Sequence, residues 1–202
     1  MKADRPKVAV FLSGGGSNLQ SLIDATKAGI LHAEIALVIS SRNKAYGRER
    51  AKNEGIESFV FKAKKYESPD AAAEYLMTRL REKNIQYIAL AGYLSLLPES
   101  IVKTFHNRIV NIHPALLPKY GGKGMFGHHV HEAVIASGDK ESGPTVHIVD
   151  EVYDNGPVLE QVRVPVLPDD TPDTLAARVL KEEHRLYPRV LHKLIKGEYD
   201  LD

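Results

Sequence analysis

Cysteine is absent from this 202-residue chain. That one absence excludes disulfides, thiolate catalysis and zinc–thiolate centres together, and it agrees with a reducing compartment. An excess of either charge is missing too: 27 Lys and Arg face 26 Asp and Glu, a formal net charge of +1. A nucleic-acid footprint needs a large or clustered basic excess, so no nucleic-acid partner is expected. The short basic cluster Lys62-Ala63-Lys64-Lys65 reads as a solvated face. No apolar run approaches the roughly 20 residues of a membrane span. Val8–Leu12 is too short for a signal-peptide core and lacks a small-residue cleavage site. The expectation is a soluble, cytoplasmic protein with no membrane partner. Internal repeats and low-complexity linkers are lacking as well. What remains, 43% hydrophobic and 26% charged residues, is ordinary globular material. The length suits a single domain over residues 1–202, able to bury about two-thirds of its unfolded surface.

Short apolar runs alternate with amphipathic stretches, which predicts βαβ repetition and a mostly parallel sheet. Strands are expected at Lys7–Leu12, Ile35–Ile39, Phe59–Phe61, Tyr87–Ala91 and Ile109–Ile112. Helices are expected from about Asn18 to Ala28, at Gly47–Asn53, from Ser68-Pro69-Asp70 to about Lys83, and at Pro98–Phe105. Tyr120–His129 is glycine-rich and reads as irregular, followed by a helix over Val130–Ser137. Thr145–Val149 and Val158–Val164 read as two strands separated by Asp154-Asn155-Gly156. Asn-Gly is a hairpin signal, so this C-terminal pair should be antiparallel. A last helix runs from Pro172 to about Lys196. The fold class is α/β: a Rossmann-like three-layer α/β/α arrangement.

Ser13-Gly14-Gly15-Gly16-Ser17-Asn18 lies between the first strand and the first helix. Backbone amides there can wrap an anion, and the helix N-terminus adds about half a positive charge. As a dinucleotide fingerprint the loop is poor, because Leu19 occupies the third glycine position. The second strand ends in Ser40-Ser41-Arg42-Asn43, without an acid for a ribose hydroxyl. No Walker lysine follows. A single phosphate monoester fits better than NAD or ATP; a tight turn needing glycine for conformation alone is the other reading.

Asn111-Ile112-His113-Pro114-Ala115-Leu116-Leu117-Pro118-Lys119-Tyr120 is the most informative segment. Asn111 and His113 alternate with Val110 and Ile112, so the carboxamide and the imidazole share one face of their strand. An amide donor beside a titratable imidazole suits chemistry in which a carbonyl oxygen becomes negative while protons move. Asp154 is either a turn former or a carboxylate that would raise the His113 pKa by favouring the imidazolium. His128-His129-Val130-His131-Glu132 invites a metal, but its spacing is not His-Glu-x-x-His and its loop is a poor rigid scaffold. Local hydrogen bonding or substrate contact is expected there, and no metal. Glu182-Glu183-His184 would ordinarily be a solvent face balanced by Arg178 and Lys181.

Together with Leu90-Ala91-Gly92-Tyr93, Gly143–Val149 and Asp154–Gln161, these segments closely resemble the folate-dependent formyltransferases. The phosphoribosylglycinamide (GAR) formyltransferases match best, in order and at similar spacing over essentially the whole chain. The resemblance implies Asn111, His113 and Asp154 as catalytic residues, and Gly16, Ser17, Asn18 and Glu183 as contacts for GAR. It implies Leu94, Ser95, Leu96, Leu97, Asn111, Asp150, Glu151, Val152, Tyr153 and Asp154 around the folate. The reaction it implies is formyl transfer from 10-formyltetrahydrofolate to the amine of GAR, in de novo purine (IMP) biosynthesis, with no metal because the formyl group arrives activated on its carrier.

The chain departs from that family in two places. Members often carry Met-Arg where Leu94-Ser95 stands, and Arg where Pro69 stands, which puts the grip on the folate tail in question. Tyr120–His128 is also several residues longer, either a mobile lid or a plain longer loop. Other activities compete. A formyltetrahydrofolate deformylase sends the formyl group to water, but usually carries an N-terminal regulatory domain, whereas the first strand here starts at Lys7. A methionyl-tRNA formyltransferase generally needs an added C-terminal domain and a basic surface. A non-enzymatic nucleotide-binding Rossmann-like module explains the glycine loop and leaves Asn111, His113 and Asp154 unexplained. Monomer and homodimer both remain open.

Overall fold

The computed structural model describes residues 5–201. Its elements in order are β1 (Lys7–Leu12), α1 (Ser17–Lys27), β2 (Glu34–Ser40), α2 (Gly47–Asn53), β3 (Ser58–Val60), a 3₁₀ turn (Ala63–Lys65), α3 (Pro69–Glu82) and β4 (Tyr87–Leu90). There follow α4 (Glu99–Thr104), β5 (Ile109–His113), α5 (His128–Ser137), β6 (Glu141–Ser142), β7 (Thr145–Ile148), β8 (Val158–Gln161), β9 (Val164–Pro165) and α6 (Pro172–Ile195). The expected single domain also takes in residues 1–4 and 202, which lie outside the described residues.

The main sheet has the strand order β3-β2-β1-β4-β5-β7-β8. β1 to β5 run parallel, and β7 and β8 are antiparallel additions beyond β5. β1 is apolar on both faces because it lies centrally and is covered on both sides. Val8, Val10, Val110 and Ile112 pack toward α1 and α6, while Ala9, Phe11 and Ile109 pack toward α3 and α4. The sheet is thus the middle of three layers. The helix ends follow local chemistry. The Ser68 hydroxyl accepts from the Ala71 N–H with Pro69 in the first turn, and Thr171 and Thr174 form a reciprocal capping box at the start of α6.

From β1 the chain moves out to β2 and β3, then returns to β4 on the other side of β1. The crevice of such a sheet opens at the carboxyl ends of the strands flanking that reversal. The Ser13–Asn18 loop follows β1, Gly92 follows β4, and Asn111 and His113 end β5, so all three segments meet at one end of the molecule.

Three local expectations differ from the structure. Val158–Val164 is not one strand: β8 ends at Gln161, and β9 pairs with β6 in a separate two-stranded sheet. The chains cross so closely there that a Cβ on Gly143 would lie 1.8 Å from the Val162 carbonyl oxygen. α5 begins at His128, two residues before the apolar Val130 that marked its expected start. The connection from Val149 to Pro157 is a longer loop rather than a tight Asn-Gly turn. Asp154 takes the positive φ (53°), and Gly156 is needed because a Cβ would lie 2.0 Å from the Ile148 carbonyl oxygen.

Candidate active site

A cleft of about 1300 Å³ opens at the carboxyl ends of the strands. It is lined by Gly16, Ser17, Asn18 and Glu183, by Leu94–Leu97, by Asn111 and His113, and by Asp150–Asp154. Every residue that the family resemblance implies as catalytic or substrate-contacting therefore borders one cavity, whereas His129 and Glu132 pair with each other outside its lining. Lys123–His128 of the long loop and His131 of α5 line it as well.

The glycine loop is held from behind. Gly16 (φ 72°) precedes α1, and a Cβ on it would lie 2.6 Å from the Gly47 Cα of α2. Conformation and close packing thus explain that glycine as well as an anion would. The Gly47 N–H donates to the Gly14 carbonyl at 3.1 Å, and Arg50 Nε donates to the Gly15 carbonyl at 2.9 Å. With those carbonyls turned to α2, the amides at the start of α1 are left for the cleft. Ser13 joins this loop to the next: its hydroxyl accepts from the Leu94 N–H at 2.9 Å.

Glu183 is buried, not part of a solvent face, and accepts from Asn18 Nδ2 at 2.6 Å. Burial raises its carboxyl pKa, opposed by the Asn18 hydrogen bond. Arg178, expected to balance the neighbouring acids, instead pairs with Asp170. Leu94, Leu96 and Val152 are exposed apolar side chains around the cleft. Asp150 ties its own turn, accepting from the Val152 N–H and from Asn155 Nδ2.

Asn111, His113 and Asp154 converge. Asn111 Nδ2 lies 3.4 Å from Asp154 Oδ1, and His113 Nδ1 lies 3.6 Å from Asp154 Oδ2. His113 Nε2 sits 2.7 Å from the Tyr120 carbonyl oxygen, and the Gly122 N–H donates to Asp154 Oδ2 at 2.9 Å. The segment leaving β5 is pinned to β7, where Thr145 Oγ1 donates to the Ala115 carbonyl and accepts from the Leu117 N–H.

Sequence reasoning missed His147. In the antiparallel register it stands opposite Asn111, and its Nε2 is 3.1 Å from Asn111 Nδ2 and 3.5 Å from Asp154 Oδ1. Its Nδ1 contacts the Ile148 carbonyl at 2.8 Å, so Nε2 is the nitrogen left to accept from Asn111. A polar residue in the buried run Thr145–Ile148 was the available signal; which residue it would oppose depends on a register that one sequence does not display.

The electrostatics correct one expectation. Asp154 does pull the His113 pKa upward, but burial is the larger influence and the net shift is downward. Removing an imidazolium from water outweighs one carboxylate at 3.6 Å. Burial likewise pushes the Asp154 carboxyl up, yet the neighbouring His147 and His113 imidazoles and the Gly122 N–H together bring it below its ordinary value. His131, buried against the cleft, is lowered to about 4, first by burial and then by His128 and His113. Among the described residues, no three His, Cys, Asp or Glu side chains cluster as metal ligands. No helix among them is long and apolar enough to cross a membrane.

Comparison with known proteins gives this cleft its context. The formyl transferase family model matches residues 6–191. A chloroplastic phosphoribosylglycinamide formyltransferase of Vigna unguiculata is 47% identical over 190 residues, covering 94% of this chain and 61% of that protein. The chain spans about three-fifths of the length of the plant relatives it matches. The phosphoribosylglycinamide formyltransferase of Haemophilus influenzae is 39% identical, covering 96% of this chain and 90% of that one. The crystal structure of glycinamide ribonucleotide transformylase 1 from Symbiobacterium toebii superposes with a TM-score of 0.91 at 35% identity, covering 100% of this chain and 92% of that one. On the breadth of that match, with Asn111, His113 and Asp154 gathered in one cleft, the chain belongs to the formyl transferase family.

Proposed function

We propose that this chain, as a single formyltransferase domain, transfers the formyl group of 10-formyltetrahydrofolate to the amine of N1-(5-phospho-D-ribosyl)glycinamide, in purine biosynthesis. The carrying observation is that one cleft holds the amide-rich loop before α1, the Asn111–His113–Asp154 group and an exposed apolar wall. In this reading the phosphate of GAR meets the amides of Gly16, Ser17 and Asn18, and buried Glu183 meets its sugar. Leu94, Leu96 and Val152, with the Asp150–Asp154 turn, receive the flat pteridine of the second substrate.

The chemistry follows from the groups present. The amine lone pair attacks the formyl carbon, and the carbonyl electron pair moves onto oxygen. Asn111 exchanges its long 3.4 Å contact with Asp154 for that oxygen and donates to it. Because burial keeps His113 largely neutral at rest, it first takes the proton of the attacking nitrogen, becoming charged beside Asp154. As the oxyanion collapses, the bond from carbon to folate N10 breaks and His113 returns the proton to N10. Purified protein incubated with 10-formyltetrahydrofolate should release tetrahydrofolate only when GAR is added, with formyl-GAR in equal amount. Release without GAR would make water the acceptor and the enzyme a deformylase; no release in either case would sink both activities.

A further inference from the structure

We propose that Tyr120 is a positioning residue: with its hydroxyl anchored on Asp139, it presents its own carbonyl to His113 and so fixes which imidazole nitrogen exchanges the proton. The inference rests on the formyl-transfer reading for its kinetic consequence, though not for its spectroscopic one.

A carbonyl oxygen can only accept a hydrogen bond. The 2.7 Å contact between His113 Nε2 and the Tyr120 carbonyl therefore requires the proton on Nε2 in both charge states of the ring. The other tautomer would set two lone pairs against each other. Nδ1 is then the nitrogen that titrates. It faces Asp154 Oδ2 at 3.6 Å, too far for a hydrogen bond yet near enough to stabilise a charge that arrives there. The other titratable groups around His113 are His147, across the sheet at Asp154, and His131 on α5.

Tyr120 would not hold this carbonyl in place unaided. Its φ is 57°, a left-handed conformation uncommon outside glycine. Three contacts over-determine it. The hydroxyl donates to Asp139 Oδ2 at 2.8 Å beside the Ser137 hydroxyl, Lys119 Nζ reaches the same carboxylate at 3.0 Å, and the side chain packs on the apolar cluster of α5 and α6. Two residues further on, the Gly122 N–H meets Asp154. Between them Gly121 packs closely: a Cβ there would lie 2.6 Å from Leu117 Cδ2 and 3.3 Å from Asp154 Cβ. One short backbone stretch therefore touches both members of the His113–Asp154 pair, and its anchor lies outside the cleft at the end of α5.

The test compares Tyr120→Phe, which keeps the ring in its cluster and loses the anchor, with Asp139→Leu and Asp139→Asn. Tyr120→Phe and Asp139→Leu should each lower kcat about tenfold or more while moving both KM values by no more than about twofold. Asp139→Asn, which keeps an acceptor for the hydroxyl, should recover most of the loss, as plain destabilisation of the loop would not. Imidazole ¹H–¹⁵N spectra of the wild type should show His113 protonated on Nε2, and in Tyr120→Phe a mixture of tautomers. A wild-type His113 carrying its proton on Nδ1, or a Tyr120→Phe enzyme with unchanged kcat and an unchanged spectrum, overturns the inference. Should the wild type fail to formylate GAR, the function is wrong, and the spectra still decide the tautomer.

Discussion

Asn111 has two amide hydrogens and two resting acceptors, His147 Nε2 at 3.1 Å and Asp154 at 3.4 Å. His147 thus orients the carboxamide, while the weaker partner is the one a developing oxyanion can displace. Asn111→Ala should lower kcat about 10²- to 10³-fold, the usual loss for one oxyanion donor. His113→Ala should lose about 10²- to 10⁴-fold, as for a general acid–base. Both variants should still bind GAR, and the effects should not add, because one transition state uses both residues. Asp154→Asn removes the largest upward influence on the His113 pKa. Its acid limb should therefore move to lower pH, with a lower plateau; a wild-type kcat and an unmoved profile would leave Asp154 only a turn residue. Asn111, His113 and Asp154 were legible because side chains carry their chemistry in the sequence. The contacts of Tyr120 and Gly122 were not, because they are made by backbone atoms that every residue possesses.

The glycine loop is a property of two elements rather than one. α1 supplies the amides, while α2 turns the loop carbonyls away through the Gly47 N–H and Arg50. Arg50 also reaches Gln20 on α1, so one guanidinium clamps loop and helix together. A charge-assisted hydrogen bond contributes roughly 1.5–3 kcal/mol; partial exposure reduces that, and Arg50→Met should raise the KM for GAR about three- to tenfold. The KM for 10-formyltetrahydrofolate should stay put, as measured by initial rates with each substrate varied in turn. Equal rises in both would mean general loosening of the cleft instead. Elements such as β1 and α2 were readable to the residue because apolar runs, caps and glycines bound them locally. The division of Val158–Val164 between two sheets was not, since it depends on the close crossing of Gly143 and Val162, distant in the chain.

At the scale of the whole molecule, the buried titratable groups divide acid sensitivity into two windows. His113, His131 and His184 all have lowered pKa values, in each case from burial first. Such a group binds its proton more readily in the unfolded chain. Its contribution to stability is complete above the ordinary 6.5 and is lost as pH falls toward the folded value, about 4 for His131. Asp154 and Asp170 are lowered carboxylates, so their contribution holds above the ordinary 3.8 and is lost only below it. Glu183, raised by burial, works the other way: it favours the folded state below 4.5 and loses that advantage as pH rises. The melting temperature should accordingly begin to fall between pH 6.5 and 4, before the paired carboxylates titrate. His131→Met fills the buried position on α5 with an adaptable apolar side chain and removes one titrating imidazole. Its melting temperature should decline less steeply than the wild type across that window, and in parallel with it below pH 4. Parallel curves throughout would show that the buried imidazole of His131 takes up no proton at the expense of the fold.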